Sequence, residues 1–477
     1  MRNTRTGGDT WITLAYFAPT GCARARAGHR VLTAQSNRAT RRGVSYRDLN
    51  TTVPSPAAKI SRRPARRVVV LALTLAFVLV NDWPVATYSV LAHQDTVDAA
   101  WDAAIVPLLR QRFAGLTTVQ LAEARAYAYG GSLIQDLGYY PFGSHLFTNL
   151  THYVRSGDFV ESLIRGASDA NEYAFALGAL AHYASDNAGH PMAVNRSVPL
   201  MYPKVRMKTG QEALYVDSPA RHVMVEFAFD VMQVARGAYV RQAYRDRIGF
   251  EVAKASLERA VRETYAVELD DLLLNVDLAI GTYRRAIGTV VPELTRIAWR
   301  EKREEIEKRT PGVTEQAFVY TLSHRDYERE FGTKYRKPGI FARVLGFVLR
   351  ILPKIGPLRP LAFEPLTPEA DRLFLESASA VRTRYRAFLQ ALDERRLRLP
   401  NTDFDTGRPP SRGENRLADE TYADLLHKLA GRKFADVPLE LRRELNAFFS
   451  GSVAPQASVS RREDARIRKE LEELNRR

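Results

Sequence analysis

The sequence predicts an all-α protein. Apolar residues recur at the spacing of an amphipathic helix in many segments of the chain, and capping signatures precede several of these segments. No stretch alternates apolar and polar residues for long enough to form a strand. With 477 residues and 45% hydrophobic content, the chain can bury substantial cores and form two or three domains.

Residues 1–67 form a basic extension that we predict to be disordered, because they are rich in Arg, Thr, Ser and Gly and lack a sustained periodicity. The extension carries a net charge of +12, which leaves only +4 for the rest of the chain. The total of +16 is therefore poor evidence for a nucleic-acid partner, and we expect no stable one. The only cysteine, Cys22, also lies here, so a disulfide framework is not expected.

Residues 68–87 have the composition of a signal peptide. A segment of thirteen residues, VVVLALTLAFVLV at 68–80, follows the basic run SRRPARR and is apolar except for Thr74. The apolar segment 68–80 is shorter than the roughly twenty residues of a membrane span and is typical of the apolar core of a secretory signal. An uncleaved anchor and a buried helix are the alternatives. We expect a secreted or periplasmic protein.

The first helix is predicted over about 95–111, where apolar residues share one face, and His93 would lie immediately before its first turn. Thr117 and Gln120 have the spacing of a capping box for a second helix. Two glycines and a proline follow in QDLGYYPFGSH, so Asp136 should lie at a helix end or in the next loop.

Two later helices would carry many of the titratable residues. Asp169 has capping-box spacing to the glutamate three residues later, and a helix should run from there to about Asn187, where a glycine and a proline at 189 and 191 would end it. Ser218 followed by Pro219 is a typical helix start. Further helices are predicted at about 249–264, 267–309, 367–396, 416–431 and 438–449.

A charged helix that ends near Arg309, followed by the turn TPG, predicts a boundary between a helical domain over 88–309 and a helical C-terminal region of unknown role over 310–477. Within the second region, residues 338–352 alternate apolar residues with arginines at helical spacing. This segment could be a core helix or a membrane-surface helix that makes a peripheral contact.

Two segments place metal-type side chains four residues apart. These are His182, Asp186 and His190, then His222 and Glu226. Residues four apart face the same side of a helix, which is how a helix presents two ligands to one ion. One such pair alone is more often a core histidine with a partner. Two of them on adjacent helices, with further His and Asp residues upstream, indicate a zinc site.

The segments ALAHYASDNAGHP and HVMVE, with YSVLAH and Asp136 upstream, resemble the zinc-dependent phospholipases C and their relatives, the P1- and S1-type nucleases. The resemblance covers about residues 88–235 and weakens to about residue 300. It implies an all-helical, secreted hydrolase with a catalytic domain over 88–309 and three zinc ions.

The resemblance also implies which residues hold each ion. The first zinc would be held by Asp136, a histidine about fifteen residues later, His182 and Asp186. The second would be held by His190, His222 and Glu226. The third would be held by His93, Asp186 and the terminal amine and carbonyl of Tyr88, which requires signal cleavage between Thr87 and Tyr88.

Two histidines compete for the open position in the first zinc site. His152 lies sixteen residues after Asp136, close to the spacing in the family, whereas His145 lies only nine residues after it. We therefore prefer His152 and expect His145 to be a nearby polar or substrate-side residue.

The resemblance implies a phospholipase C type reaction, in which zinc-bound water attacks a phospholipid and Asp136 serves as a ligand and candidate base. The alternatives are a P1/S1-type nuclease for single-stranded nucleic acid and a membrane-anchored, non-catalytic zinc protein. The ligand set does not separate lipid from nucleic-acid phosphodiesters. Five aromatic residues near the proposed ligands could line a pocket for either substrate, and we assign no specific role to them. They are Tyr139, Tyr140, Phe142, Phe147 and Tyr153.

Overall fold

The computed structural model describes residues 90–140, 142–235, 251–285, 365–451 and 461–476, together with single residues between 299 and 315. All of them belong to one compact unit, Pro64–Arg477. The predictions for the extension, the signal peptide, Tyr88 and the 338–352 helix lie outside the described residues.

The described part of the chain is helical and contains no strand, which confirms the predicted all-α class. Its α-helices are α1 Val90–Asp98, α2 Val106–Arg112, α3 Thr118–Gly131, α4 His145–Tyr153, α5 Ser156–Gly166, α6 Ala170–Gly189, α7 Asn195–Met201, α8 Pro203–Thr209, α9 Pro219–Ala235, α10 Lys254–Tyr265, α11 Leu269–Leu272, α12 Val276–Arg285, α13 Pro368–Asp393, α14 Arg416–Gly431, α15 Leu439–Ser450 and α16 Arg461–Asn475. Short π-helices at Trp101–Ile105 and His190–Val194 and 3₁₀-helices at Ile134–Tyr139 and Tyr215–Asp217 join some of them. None of the described helices is both long enough and apolar enough to cross a membrane.

The start of the first helix was predicted wrongly. Helix α1 begins at Val90, so His93 lies within the helix and not before it. Residues 90–93 are all buried, and this burial extends the helix toward the N terminus beyond the periodic segment that the sequence displays. The predicted capping box of α3 is present, since Thr117 and Gln120 bond each other's backbone N–H groups.

The end of helix α6 also differs from the prediction. The chain does not leave the helical path at Pro191 but continues through the π-helix His190–Val194 into α7. Proline lacks the N–H that would bond the carbonyl of Asn187 in a regular helix. Arg384 of α13 donates to that carbonyl at 3.3 Å. A side chain distant in sequence thus occupies the position that the proline leaves open.

Helix α6 is the central element, and all its residues from Tyr173 to Gly189 are buried. Glycines permit its close approach to α3. A Cβ on Gly131 would lie 1.9 Å from the carbonyl oxygen of Phe175, and a Cβ on Gly178 would lie 2.0 Å from that of Ala128. The two backbones therefore meet with no room for a side chain.

The C-terminal residues 365–451 pack directly against this helical core. The Tyr385 hydroxyl on α13 donates to the carbonyl of Leu177 on α6 at 2.9 Å, and both regions contribute to one hydrophobic cluster. The predicted boundary at 310–312 falls where only single residues are described. On either side of it, the described residues share one core.

Candidate metal centre

Five of the predicted ligands meet on one side of α6. His182 and Asp186 lie in the last two turns of that helix, His93 comes from α1, Asp136 from the 3₁₀-helix and His152 from α4. All five side chains are buried. The structure thus brings together residues from four separate elements.

Asp186 is the centre of this group. Its Oδ2 lies 3.1 Å from His182 Nε2, 3.3 Å from His152 Nε2 and 3.7 Å from His190 Nε2. Its Oδ1 lies 3.4 Å from His93 Nε2. Four imidazole nitrogens therefore surround one carboxylate, which is the arrangement expected of a carboxylate shared between metal ions.

Asp136 faces the same space because of how its 3₁₀-helix is held. The hydroxyl of Thr148 on α4 donates to the carbonyl of Gln135 at 2.7 Å and accepts from the N–H of Gly138 at 2.8 Å. These bonds hold the turn against α4, and Asp136 Oδ1 then lies 3.4 Å from His152 Nε2. The predicted position after a helix end agrees with this placement.

The two candidates for the first site differ in burial. His152 lies near the end of α4 and is 3% exposed, whereas His145 begins the same helix and is exposed. The ring centroid of His145 lies 6.1 Å from that of Tyr139. The structure therefore brings His152 and not His145 to Asp136.

The remaining predicted ligands among the described residues form a second group, from the π-helix that follows α6 and from α9. His222 and Glu226 stand one turn apart near the start of α9, with His222 Nε2 3.2 Å from Glu226 Oε1. His190 Nε2 lies 3.7 Å from the same oxygen. Because His190 also approaches Asp186, the two groups are contiguous.

Sequence reasoning missed Asp405, which lies in the loop between α13 and α14. Its carboxylate meets His190 and His222, and their ligand atoms lie within 4.8 Å of one another. In two other groups the ligand atoms also lie within 4.8 Å of one another. One group is His93, His182 and Asp186, and the other is Asp136, His152 and His182. The only sequence signal for Asp405 is the pair of acids in NTDFDTG, in a loop-like segment with no helical spacing.

Two tyrosines line the same space. The ring of Tyr139 lies 6.3 Å from that of His152, and the ring of Tyr215 lies 5.4 Å from that of His222. The two tyrosine rings are 5.8 Å apart. Tyr215 was not predicted, since its 3₁₀-helix has no distinctive sequence pattern.

Three histidines are oriented through the nitrogen that faces away from the group. His152 Nδ1 lies 2.8 Å from the carbonyl of Thr148, His182 Nδ1 lies 3.0 Å from that of Ser132, and His190 Nδ1 lies 3.0 Å from Asp405 Oδ1. An acceptor at Nδ1 favours a proton there and leaves Nε2 as a ligand. In each case Nε2 lies within 3.7 Å of Asp186 Oδ2.

The buried carboxylates of the group favour bound cations. Burial raises the pKa of both Asp136 and Glu226, although neighbouring histidines oppose the shift. Burial by itself lowers the pKa of His152, but hydrogen bonds and charge from Asp136 and Asp186 outweigh it and raise the pKa to about 10. The charges of Asp136 and Asp186 thus favour the protonated, cationic form of His152.

The unsatisfied atoms of the site fit a metal ion. Among the described residues, Asp136 Oδ2, Glu226 Oε2 and His222 Nδ1 are buried and have no hydrogen-bond partner. Such atoms are costly unless a ligand binds them. Imidazole nitrogen and carboxylate oxygen are the donor set that zinc accepts.

Residues 92–272 match the sequence model of the zinc-dependent phospholipase C family. This region belongs to that family. The match implies a zinc-dependent phosphoric ester hydrolase, which confirms the predicted family and enzyme class for the matched residues. Neither the curated proteins nor the solved structures include a significant match to this chain. Asp405 lies outside the part that matches the phospholipase C family.

Proposed function

We propose that this phospholipase C family member is a secreted phosphodiesterase that hydrolyses phospholipids at a site for three zinc ions. The observation that carries the proposal is the convergence of four histidines on Asp186 within the region that matches the family. One carboxylate in contact with both ligand groups supports a site with several ions rather than one.

The proposed ligands follow the two groups and the amino terminus. One zinc would be held by Asp136, His152, His182 and Asp186. Another would be held by His190, His222 and Glu226. A third would be held by His93, Asp186 and the terminal amine and carbonyl of Tyr88 in the secreted form.

Bound zinc would acidify water to supply a nucleophile near neutral pH and would neutralise the charge that develops on the phosphoryl group. Asp136 would accept a proton during the reaction, because its Oδ2 has no hydrogen-bond partner among the described residues. Tyr139 and Tyr215 would limit the access of bulk water on the side of His152 and His222.

The test uses residues 88–477 with a free amine on Tyr88. The zinc-loaded protein should hydrolyse phosphatidylcholine, a chelator should stop the reaction, and added zinc should restore it. Single-stranded DNA is assayed in parallel. Cleavage of DNA without cleavage of lipid would replace the proposal with a nuclease of the related type. Zinc binding without hydrolysis of either substrate would instead favour a non-catalytic zinc protein.

Secretion is tested separately by sequencing the amino terminus of the protein exported from an expressing cell. A first residue of Tyr88 is expected. An uncleaved segment 68–80 would contradict secretion and would also remove the proposed amine ligand of the third zinc. Such a chain should still bind the other two ions, so counting zinc per chain distinguishes the two forms.

A further inference from the structure

His190 is held between two sets of carboxylates. Its Nε2 lies 3.7 Å from both Asp186 Oδ2 and Glu226 Oε1. Its Nδ1 lies 3.0 Å from Asp405 Oδ1. One edge of the imidazole thus faces the proposed ligands, and the other faces a carboxylate from a segment about 215 residues later in the chain.

Asp405 is itself firmly positioned. Its Oδ2 accepts from the hydroxyl of Tyr153 at 3.1 Å and from the side-chain amide of Asn415 at 3.3 Å. Its backbone carbonyl accepts from the side-chain amide of Asn195 at 2.7 Å, and its N–H donates to Asp403 Oδ1 at 2.8 Å. The residue is 1% exposed. A carboxylate held at so many points can fix the orientation of its partner.

The residue before it contacts the first ligand group. The ring of Phe404 lies 5.1 Å from that of His152 and 6.1 Å from that of His182. The N–H of Phe404 donates to the carbonyl of His152 at 3.1 Å. The short segment 404–405 therefore touches both halves of the metal centre.

We propose that Asp405 is a positioning residue of the metal centre, which holds the Nδ1–H of His190 so that Nε2 binds zinc. A histidine that donates to a carboxylate through one nitrogen and binds metal through the other is oriented and made more basic. The C-terminal region then completes a site whose proposed ligands all lie before residue 272. This inference rests on the zinc assignment made for His190 under the proposed function.

Zinc affinity gives the first test, and it requires no substrate. Zinc-free protein is titrated with zinc against a chromophoric chelator, for the wild type, Asp405→Ala and Asp405→Asn. Asp405→Ala should weaken one zinc by roughly 10- to 100-fold and leave the others unchanged. Asp405→Asn keeps an oxygen that accepts from Nδ1, so its affinity should lie closer to the wild type than to Asp405→Ala.

The outcomes separate the alternatives. Equal affinity of the wild type and Asp405→Ala would overturn the proposal. Equal losses in Asp405→Ala and Asp405→Asn would also overturn it, since they would indicate that Asp405 binds the metal directly. Glu414→Gln is the matched control, because this carboxylate in the same loop contacts the exposed Arg408 side chain and should not alter zinc binding.

A second measurement does not depend on the folding of any variant. Nitrogen-15 NMR of histidine in the zinc-loaded wild type should show a proton on His190 Nδ1 and none on Nε2. Coordination through Nδ1, or loss of its proton, would overturn the proposal. Neither experiment depends on which phosphodiester is cleaved. Failure to hydrolyse phosphatidylcholine would thus contradict the proposed function while leaving the role of Asp405 to be decided by zinc binding.

Discussion

The helical region 90–285 and the C-terminal region 365–451 contribute to the same centre in different ways. The first presents the described candidate ligands from four α-helices, a 3₁₀-helix and a π-helix, and it fixes His152 and His182 with its own backbone carbonyls. The second presents a carboxylate from a loop, which contacts His190. The difference shows that the stretch matched by the family, 92–272, is smaller than the structural unit that builds the site.

The largest effect is expected from the helical region alone. Asp186→Asn should remove a ligand shared by both groups, and we expect at least a hundredfold loss in kcat/KM, or about 2.7 kcal/mol of transition-state stabilisation. Zinc content, measured by atomic absorption, should fall by at least one ion per chain. Asp102→Asn is the control, because Asp102 is exposed and should behave as wild type. Full zinc content and turnover in Asp186→Asn would contradict the assignment.

The next effect is expected at the contact between α3 and α6, the helix that carries His182 and Asp186. Gly178→Ala would place a Cβ 2.0 Å from the carbonyl oxygen of Ala128, so α3 and α6 would have to separate. We expect a loss of about 2 kcal/mol in the free energy of unfolding, measured by urea denaturation of the zinc-free protein.

Gly281→Ala is the matched control, because a Cβ there has open space within α12. It should raise the free energy of unfolding by up to about 1 kcal/mol, as expected for alanine in an exposed helix interior. Similar effects of the two substitutions would show that the close contact between α3 and α6 does not limit stability.

The sequence was sufficient to group candidate ligands that lie one helical turn apart. His182, Asp186, His222 and Glu226 could be grouped because residues four apart on a helix face the same way. The choice between His145 and His152 could not rest on periodicity, because residues seven apart also share a face. Their separation depends on burial, which the fold determines.

The errors and omissions have long-range causes. Where the helical path continues past Pro191, Arg384 of α13 donates to the carbonyl of Asn187. The placement of Asp405 depends on packing across more than two hundred residues of sequence. Neither interaction leaves a spacing pattern near the residues involved, so a single sequence does not show which distant residues they join.

A smaller effect is expected at the hydrogen bond between the regions. Tyr385→Phe removes the hydroxyl that donates to the carbonyl of Leu177. We expect the free energy of unfolding to fall by about 1 kcal/mol. Zinc affinity should remain unchanged, because neither the Tyr385 hydroxyl nor the Leu177 carbonyl contacts a proposed ligand. Weaker zinc binding in this variant would show that the C-terminal region supports the centre through its whole interface rather than through Asp405.

The smallest effect is expected at the edge of the same interface, where Arg382 Nη2 lies 2.6 Å from Asp95 Oδ2. The arginine side chain is 41% exposed, so water and salt screen the pair. A double-mutant cycle with Arg382→Ala and Asp95→Asn should give a coupling of less than about 1 kcal/mol. The coupling should shrink as salt is raised. A larger, salt-independent coupling would mean that charge pairing, and not buried contacts such as that of Tyr385, holds the C-terminal region against the helical region 90–285.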